Sequence, residues 1–349
     1  RQTMETHWSL DSVIAHAKES RLQISEQEAV EELHRLIRQS VKQQMLSADV
    51  PVGAFLSGGI DSSTVVAVMQ AQSDRPVKTF SIGFYEQEYN EAEHAKAVAH
   101  QLGTDHTELY VTAQEAMDVI PLLPSMYDEP FSDSSQIPTY LVSKLARKHV
   151  TVSLSGDGGD ELFGGYTRYT IGKNYWSKIS RFNTFMRKGT AGVILKVPEE
   201  IWNAVFGNKL FPPMPFRRML QNRMYEAAIL IGAENFIEFY QTMISLWKRP
   251  ADIIIGLDLS VNDLLLLSDK EYINSLNDFE QMMYFDTRYY LPDDILVKVD
   301  RASMSVSLES RIPLLDHRIV EFAWNLPITY KIKNGVQKWI LRQICYSPK

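Results

Sequence analysis

Residues 50–63 read Val50-Pro51-Val52-Gly53-Ala54-Phe55-Leu56-Ser57-Gly58-Gly59-Ile60-Asp61-Ser62-Ser63. The apolar run Val50–Leu56 predicts a buried strand, and Ser62–Gln72 is expected to form the helix that follows it. Glycines at this junction let the backbone approach a ligand, and the N–H groups of the loop and of the helix start would face an anion. Asp61 repels phosphate unless it holds a Mg²⁺ ion that bridges to the phosphates. The stretch therefore predicts a nucleotide phosphate site. A tight turn in which Asp61 caps a helix is the plainer alternative.

The surrounding sequence predicts alternating helices and strands. Helices are expected over residues 25–47, Asn90–Leu102 and Ile137–Lys148, and strands over Val77–Phe84, His106–Val111 and Val150–Leu154. Such alternation predicts a Rossmann-like, doubly wound parallel sheet of about five strands, with ligands at the carboxyl ends of the strands. Beyond residue 172 the spacing of aromatic, Met and Leu residues is helical. We therefore predict three segments: a helical lead-in over 1–48, an α/β domain over 49–171 and a mostly helical part over 172–349.

A second glycine-rich run, Leu154-Ser155-Gly156-Asp157-Gly158-Gly159-Asp160-Glu161-Leu162-Phe163-Gly164-Gly165-Tyr166, also follows a predicted strand. Glycine and aspartate alone are typical of a solvated turn. This run instead repeats the layout of the first loop, and its acids could supply a second Mg²⁺ ligand. A third segment, residues 291–316, mixes charged and aliphatic residues. That pattern fits a solvated helix face as well as a binding segment.

Composition limits the classes of function. The 349 residues are 45% hydrophobic and 23% charged with a formal net charge of −7, and no basic block is present. An acidic chain of this kind is a poor candidate for nucleic-acid binding. No apolar run approaches the roughly 18 residues of a membrane span. The single cysteine, Cys345, excludes an internal disulfide and a cysteine-based metal site, and it fits a reducing compartment such as the cytoplasm.

The run Ser57–Ser62 resembles the Ser-Gly-Gly-x-Asp-Ser signature of the PP-loop ATP pyrophosphatases, and the second run resembles asparagine synthetases and their close relatives. Residues 291–316, Phe80–Phe84, 128–135 and Lys338–Arg342 also look like that family, so the resemblance runs from about Trp8 to Arg342. It implies an adenine nucleotide alpha hydrolase-like fold.

The resemblance also implies site residues. Mg²⁺ would be held by Asp61 and Asp160, and Asp157 would be the candidate base. The ATP-binding residues would be Phe55, Leu56, Ser57, Gly58, Gly59, Asp61, Ser62, Ser63, Ile82, Ser155 and Gly156. Candidates for the amino-acid side are Asp293, Asp294, Lys298, Asp300, Arg301 and Glu309.

The activity implied is a ligase that converts aspartate and ATP to a β-aspartyl-adenylate and pyrophosphate, followed by attack of ammonia from glutamine. An N-terminal glutaminase domain is then the expected partner, and a homodimer is compatible with the family. Two alternatives stay open: a related amidotransferase or cyclase acting on another carboxylate, and a non-catalytic ATP-binding protein.

Three departures from the family pattern matter. The chain has no glutaminase segment, some relatives have Glu where Asp157 stands, and Lys349 ends the chain soon after the Lys338–Arg342 helix. The family usually carries a pyrophosphate-contacting lysine beyond that helix. Loss of such a cation is expected to lower the rate by about 10²–10³, by analogy with the loss of an oxyanion donor.

Overall fold

A computed structural model describes residues 5–85, 91–198, 201, 224–245 and 273–346. Its centre is a five-stranded parallel sheet in the order β3-β2-β1-β4-β5. The strands are β1 (Val52–Phe55), β2 (Lys78–Phe84), β3 (Asp105–Val111), β4 (Val152–Leu154) and β5 (Glu309–Arg311). The chain builds outward from β1 to β3, then returns to the other side of β1 with β4. The order therefore reverses between β1 and β4, and both glycine-rich runs leave the sheet there.

Helices precede, separate and follow the strands along the chain. Before and between the first four strands lie α1 (Leu10–Glu19), α2 (Glu26–Leu46), α3 (Ile60–Gln70), α4 (Ala92–Leu102), α5 (Ala113–Met117), α6 (Leu123–Met126) and α7 (Gln136–Arg147). After β4 come α8 (Gly159–Phe163), α9 (Thr167–Ile179), α10 (Thr184–Lys196), α11 (Phe236–Ile244), α12 (Asp278–Phe285), α13 (Val297–Met304), α14 (His317–Asn325), α15 (Ile328–Lys331) and α16 (Trp339–Tyr346). Short 3₁₀ turns occupy Ile120–Leu122 and Pro313–Leu315, and a π-helix occupies Asp286–Leu296.

Local chemistry explains the helix starts. Ser25 accepts a hydrogen bond from the backbone of Glu28 while the Glu28 carboxylate accepts from the Ser25 backbone, which is a capping box that begins α2. Thr112 and Glu115 repeat the arrangement at α5. Helix α4 ends at Gly103, which has a φ of 70°. At the starts of α2 and α5, polar side chains thus satisfy the backbone donors that every helix start exposes.

The central strands are buried because helices cover both faces of a parallel sheet. All three residues of β4 are buried, and Leu154 is fully inaccessible. On one face, Phe80 packs with Leu145, Val150 and Leu308. This packing fixes the edge of the sheet from which the glycine-rich loops emerge.

The chain forms two compact units. The first contains residues 1–166 and 283–349, and the second contains residues 167–282. In the first, residues 283–349 return to the sheet and add β5. In the second, Trp176 packs against Phe236 and Phe239, and the Arg168 side chain donates to the Tyr240 hydroxyl at 3.0 Å. The predicted segment bounds 1–48, 49–171 and 172–349 stay a prediction.

The predicted fold class is confirmed: the chain combines a five-stranded parallel α/β sheet with a mostly helical C-terminal part. The location of the fifth strand was not foreseen, since residues 172–349 carry no strand signal in the sequence. Strand β5 has only three residues, and its backbone alone joins β4 in the register Ser153–Ser310. In the described part of the chain, no helix is both long and apolar enough to cross a membrane.

The start of α14 gives a pH-dependent stability prediction. Asp316 caps this helix by accepting from the Arg318 backbone at 3.0 Å, and the Arg318 guanidinium donates to the same carboxylate at 2.6 and 2.8 Å. The Arg318 hydrogen bond lowers the pKa of Asp316 below its ordinary 3.8 despite burial. Asp316→Ala should therefore lower the free energy of unfolding by about 1 kcal/mol at neutral pH. Because the pKa of Asp316 is lower in the folded state, the stability difference between wild type and variant has its full size above pH 3.8. The difference shrinks as the pH falls below that value. Urea titrations at several pH values test this, and a difference that stays constant in acid contradicts it.

Candidate functional site

The first glycine-rich loop joins β1 to α3. Ser62 Oγ accepts from the Ser57 backbone N–H at 3.2 Å and lies 3.0 Å from Ser57 Oγ, so the two serines tie the loop to the first turn of α3. Gly59 precedes α3, and no described side chain caps that helix start. Gly58 has a φ of 79°, and a Cβ there would lie 2.7 Å from the Ala95 backbone nitrogen. The loop is therefore held rigid while its helix-start N–H groups are left for an anion.

The second loop joins β4 to α8 and packs directly against the first. A Cβ on Gly156 would lie 2.5 Å from the Ser62 backbone nitrogen, and one on Gly159 would lie 2.5 Å from the Asp61 carboxylate. Gly158 takes a φ of 85°. The two loops meet so closely that side chains are excluded between them. Because they leave neighbouring strands where the strand order reverses, they form one wall of a single site.

A lysine contacts one carboxylate from each of the two loops. The Lys338 ammonium donates to Asp61 Oδ2 and to Asp160 Oδ1, the second at 2.8 Å, and its side chain is only 13% exposed. Lys338 immediately precedes α16 and has a φ of 53°, a backbone conformation that non-glycine residues rarely adopt. A strained residue that places a buried charge between two carboxylates is typical of a functional site.

Burial and the neighbouring opposite charges shift the pKa values of Asp61 and Lys338 in opposite directions. Burial is the largest influence on Asp61 and raises its pKa to about 6, although Lys338 acts to lower it. Burial acts to lower the pKa of Lys338, but the two carboxylates outweigh it and the net shift is upward. Lys338 therefore carries a positive charge at neutral pH. A cation held this way can neutralise further negative charge that enters the site.

The carboxylates also fit a divalent cation. Asp61 Oδ1 is buried and has no hydrogen-bond partner among the described residues. Across those same residues, no cluster of three or more His, Cys, Asp or Glu side chains could hold a metal. Mg²⁺ commonly binds through one or two carboxylates together with substrate phosphates and water. Asp61 and Asp160 meet that requirement.

A cavity of about 470 Å³ lies above the two loops. Glu161 is buried in its wall and accepts from the Tyr166 hydroxyl at 2.5 Å, and the Tyr166 ring meets the Tyr290 ring edge-on at 5.9 Å. Burial raises the pKa of Glu161 to about 7. Burial also raises the pKa of Asp157, against the opposing hydrogen bond that Ser155 Oγ donates at 2.8 Å. Burial therefore favours the protonated form of both carboxyl groups in this cavity.

The structure brings most of the predicted ATP-binding residues together. The predicted residues that line the cavity are Phe55, Ser57, Gly59, Asp61, Ser62, Ser155, Gly156, Asp157, Asp160 and Lys298. Gly58 lies behind the loop against α4, while Leu56 and Ser63 are buried. Ile82 packs on a core cluster beside β3.

The six residues predicted for the amino-acid side do not all lie at the cavity. Lys298 lines the cavity, whereas Asp293 and Asp300 are exposed and Asp294 is half-buried. Arg301 pairs with Asp128 at 2.7 Å, and Glu309 pairs with Arg311 at 2.7 Å. Of the six candidates, Lys298 is thus the one whose side chain meets the cavity.

Ten cavity-lining residues were missing from the predicted set, and so was Lys338, which contacts Asp61 and Asp160; the ten are Ser135, Pro138, Thr139, Val142, Gly158, Glu161, Tyr166, Tyr290, Ile295 and Val299. Glu161 and Tyr166 stand inside the second glycine-rich run, so the run itself was their signal. Lys338 follows Asn334-Gly335, a turn signal just before an amphipathic helix. That signal marks the turn without showing that Lys338 reaches back to Asp61, 277 positions away.

The fold and this site define a class: doubly wound α/β proteins with a cavity at the reversal point of a parallel sheet, walled by two glycine-rich loops. Residues 32–347 match the profile of the asparagine synthase family, and the chain belongs to that family.

Among its relatives, a glutamine-hydrolysing asparagine synthetase 1 of Bacillus subtilis is 34% identical over 323 residues, which cover 92% of this chain and 48% of that protein. A putative glutamine-hydrolysing asparagine synthetase 2 of Methanocaldococcus jannaschii is 38% identical over 277 residues, covering 79% and 49%. Asparagine synthetase B of Escherichia coli is 35% identical over 153 residues, covering 39% and 27%. The chain spans about half the length of the first two of these relatives.

Proposed function

We propose that this chain is the ATP-using ligase part of an asparagine-forming enzyme. It would activate the side-chain carboxylate of aspartate with ATP, release pyrophosphate, and pass the activated acyl group to ammonia, leaving AMP and asparagine. The observation that carries the proposal is the buried Lys338 ammonium between Asp61 and Asp160, set against two glycine-rich loops that open on one cavity. Family membership supports the same reaction.

The loops and Lys338 suit the polyphosphate end of ATP. Backbone N–H groups at the start of α3 would bind phosphate oxygens. In the first step an aspartate carboxylate oxygen bonds to the α-phosphorus of ATP as the bond to the bridging oxygen breaks, and pyrophosphate takes the electron pair. Negative charge on the leaving group grows during this step, and Lys338 is placed to stabilise it.

Asp61 and Asp160 would hold the Mg²⁺ ion. The ion would neutralise phosphate charge when bound. The chain's own residues then have the tasks of holding it and of keeping Lys338 close to the same oxygens.

Asp157 suits the second step. Ammonia would bond to the acyl carbon, AMP would leave with the electron pair, and the nitrogen would lose a proton. A carboxylate whose pKa is raised by burial is a better proton acceptor than an exposed one. Asp157 stands where some relatives carry Glu and is the base we propose.

The relatives are named as glutamine-hydrolysing enzymes, so we propose a glutaminase domain as the ammonia source. A cytoplasmic location fits the use of a single, unpaired cysteine. A homodimer is the assembly we propose for the complete protein.

An acceptor screen tests the proposal. The complete protein that carries this chain is incubated with ATP, Mg²⁺ and ammonium, and with one candidate carboxylate at a time. We expect AMP, pyrophosphate and asparagine in equal amounts with aspartate. Pyrophosphate release with another carboxylate alone would favour a related amidotransferase or cyclase, and nucleotide binding without pyrophosphate in every mixture would favour a non-catalytic protein.

A further inference from the structure

A second charged cluster contributes to the lining of the cavity. The Lys298 ammonium, at the start of α13, donates to Asp133 Oδ2 at 3.0 Å and to Ser135 Oγ at 2.9 Å. The side chains of Lys298 and Asp133 are only 11% and 19% exposed. Lys298 and Ser135 line the cavity together with Asp157. This cluster is therefore part of the site, although Lys298 is 163 positions from Ser135 and 165 positions from Asp133 in the sequence.

Asp133 is itself fixed by its own loop. Its Oδ1 accepts from the Ser135 backbone at 2.8 Å and from Ser135 Oγ at 2.7 Å. Burial acts to raise the pKa of Asp133, but hydrogen bonds from Ser135 and Lys298 outweigh it and lower the pKa. Asp133 is thus an anion at neutral pH, and the Ser135 hydroxyl can donate to it while accepting from Lys298.

The backbone of Lys298 is tied to the same loop. The Tyr127 hydroxyl donates to the Lys298 carbonyl at 3.4 Å, and the Tyr127 ring stacks on Phe131 at 4.8 Å. Two points on Lys298, its carbonyl and its ammonium, are therefore held by residues 127–135. These contacts hold the long, flexible lysine side chain in one conformation. The side-chain entropy is therefore lost on folding and not on ligand binding.

The cavity-lining Lys298 and the neighbouring Lys338 are held by separate partners. Lys338 is bracketed by Asp61 and Asp160, whereas Lys298 is bracketed by Asp133 and Ser135 and favours the ionised form of Asp157. Since the glycine-rich loops and Lys338 occupy the phosphate side, the charge of Lys298 serves the acceptor side. A small amino acid that carries a second carboxylate offers the anion such a charge would meet.

We propose that Asp133 and Ser135 are positioning residues, which hold Lys298 so that its ammonium meets a carboxylate of the acceptor amino acid. The inference rests on the proposed function for the identity of the acceptor. It assigns Asp133 and Ser135 a role in acceptor recognition through Lys298 and leaves nucleotide binding to the glycine-rich loops.

The test compares Asp133→Asn with wild type in the complete protein, with ammonium as nitrogen source. The nearly isosteric amide keeps the loop's shape but removes the charge that orients Lys298. We expect the KM for aspartate to rise about tenfold, which corresponds to one contact of about 1.4 kcal/mol. The KM for ATP should stay within about twofold, and Asp133→Glu should recover part of the loss. Lys298→Met should raise the KM for aspartate at least as much, and adding Asp133→Asn to it should have little further effect.

A matched control lies on the same two elements. Asp128 pairs with Arg301 at 2.7 Å, and both side chains are substantially exposed. Asp128→Asn should leave the KM for aspartate near the wild-type value, since exposed pairs contribute little.

Equal rises in the KM for aspartate and for ATP, or full additivity in the double variant, would overturn the positioning role. Pyrophosphate release by the wild-type protein that does not depend on aspartate would instead overturn the proposed acceptor. The two failures are therefore distinguishable.

Discussion

Replacing Lys338 by Met should lower the rate of pyrophosphate formation by about 10²–10³-fold, the usual effect of removing one preorganised donor to developing charge. Methionine keeps much of the volume of the lysine stem but removes the ammonium that Asp61 and Asp160 share. The two carboxylates then face each other without their shared cation. The pKa of Asp61, already raised to about 6 by burial, should rise further because Lys338 now acts to lower it.

The measurement is the initial rate of pyrophosphate release in the complete protein at saturating aspartate and ATP. Lys333→Met is the matched control: Lys333 lies over the Trp339 ring at 4.9 Å, and its carboxylate partner is Glu26 rather than Asp61 or Asp160. That variant should keep its rate within a few-fold of wild type, with a small change in melting temperature. A Lys338→Met protein that is folded and as fast as wild type would exclude Lys338 from the reaction.

The parallel sheet was predictable because its signals are local. Strands β1 and β4 lie in short, mostly apolar runs, and each glycine-rich loop follows its strand directly in the sequence. The closeness of the two loops was implied by the rule that carboxyl ends of parallel strands share one edge. The reason for so many glycines was not visible in the sequence, because it lies in contacts such as that of Gly156 with the Ser62 backbone.

The residues that bind the amino acid could not be predicted from their spacing, for a different reason. Residues 286–296 form a π-helix with Pro292 inside it, and the chain then continues as α13. A π-helix has a wider turn than an α-helix, so the 3.6-residue period no longer tells which side chains share a face. Lys298 consequently faces the cavity while Asp300 is exposed, an outcome that spacing alone does not indicate.

Lys338 could not be found from spacing either. The resemblance directed attention to a cation beyond the helix that begins after Lys338. Lys338 instead supplies a cation from the start of that helix. Its partner Asp61 is 277 positions away, and charge pairs at that separation have no signature in a single sequence.

Gly165→Ala should slow pyrophosphate formation at least tenfold while leaving the fold intact. An added Cβ would lie 1.9 Å from Lys338 Cε and 2.1 Å from Asp160 Oδ1, so one of these side chains must move. The lysine stem is flexible and can swing away at small cost to stability, but its ammonium then leaves the position between the carboxylates. The variant thus displaces the charge without removing it, and a 1 Å displacement of a catalytic group can lower a rate by about 10²-fold.

Gly192→Ala supplies the control, because a Cβ at Gly192 meets no described atom within 4 Å. Gly192 lies inside α10, where alanine should stabilise the helix by up to about 1 kcal/mol and leave the rate unchanged. Melting curves of both variants separate unfolding from loss of activity. If Gly165→Ala melts like wild type and is slow, the position of the Lys338 charge limits the reaction. If it melts like wild type and is equally fast, that position is unimportant, and a slow Lys338→Met variant would then have to be explained by the uncompensated carboxylates alone.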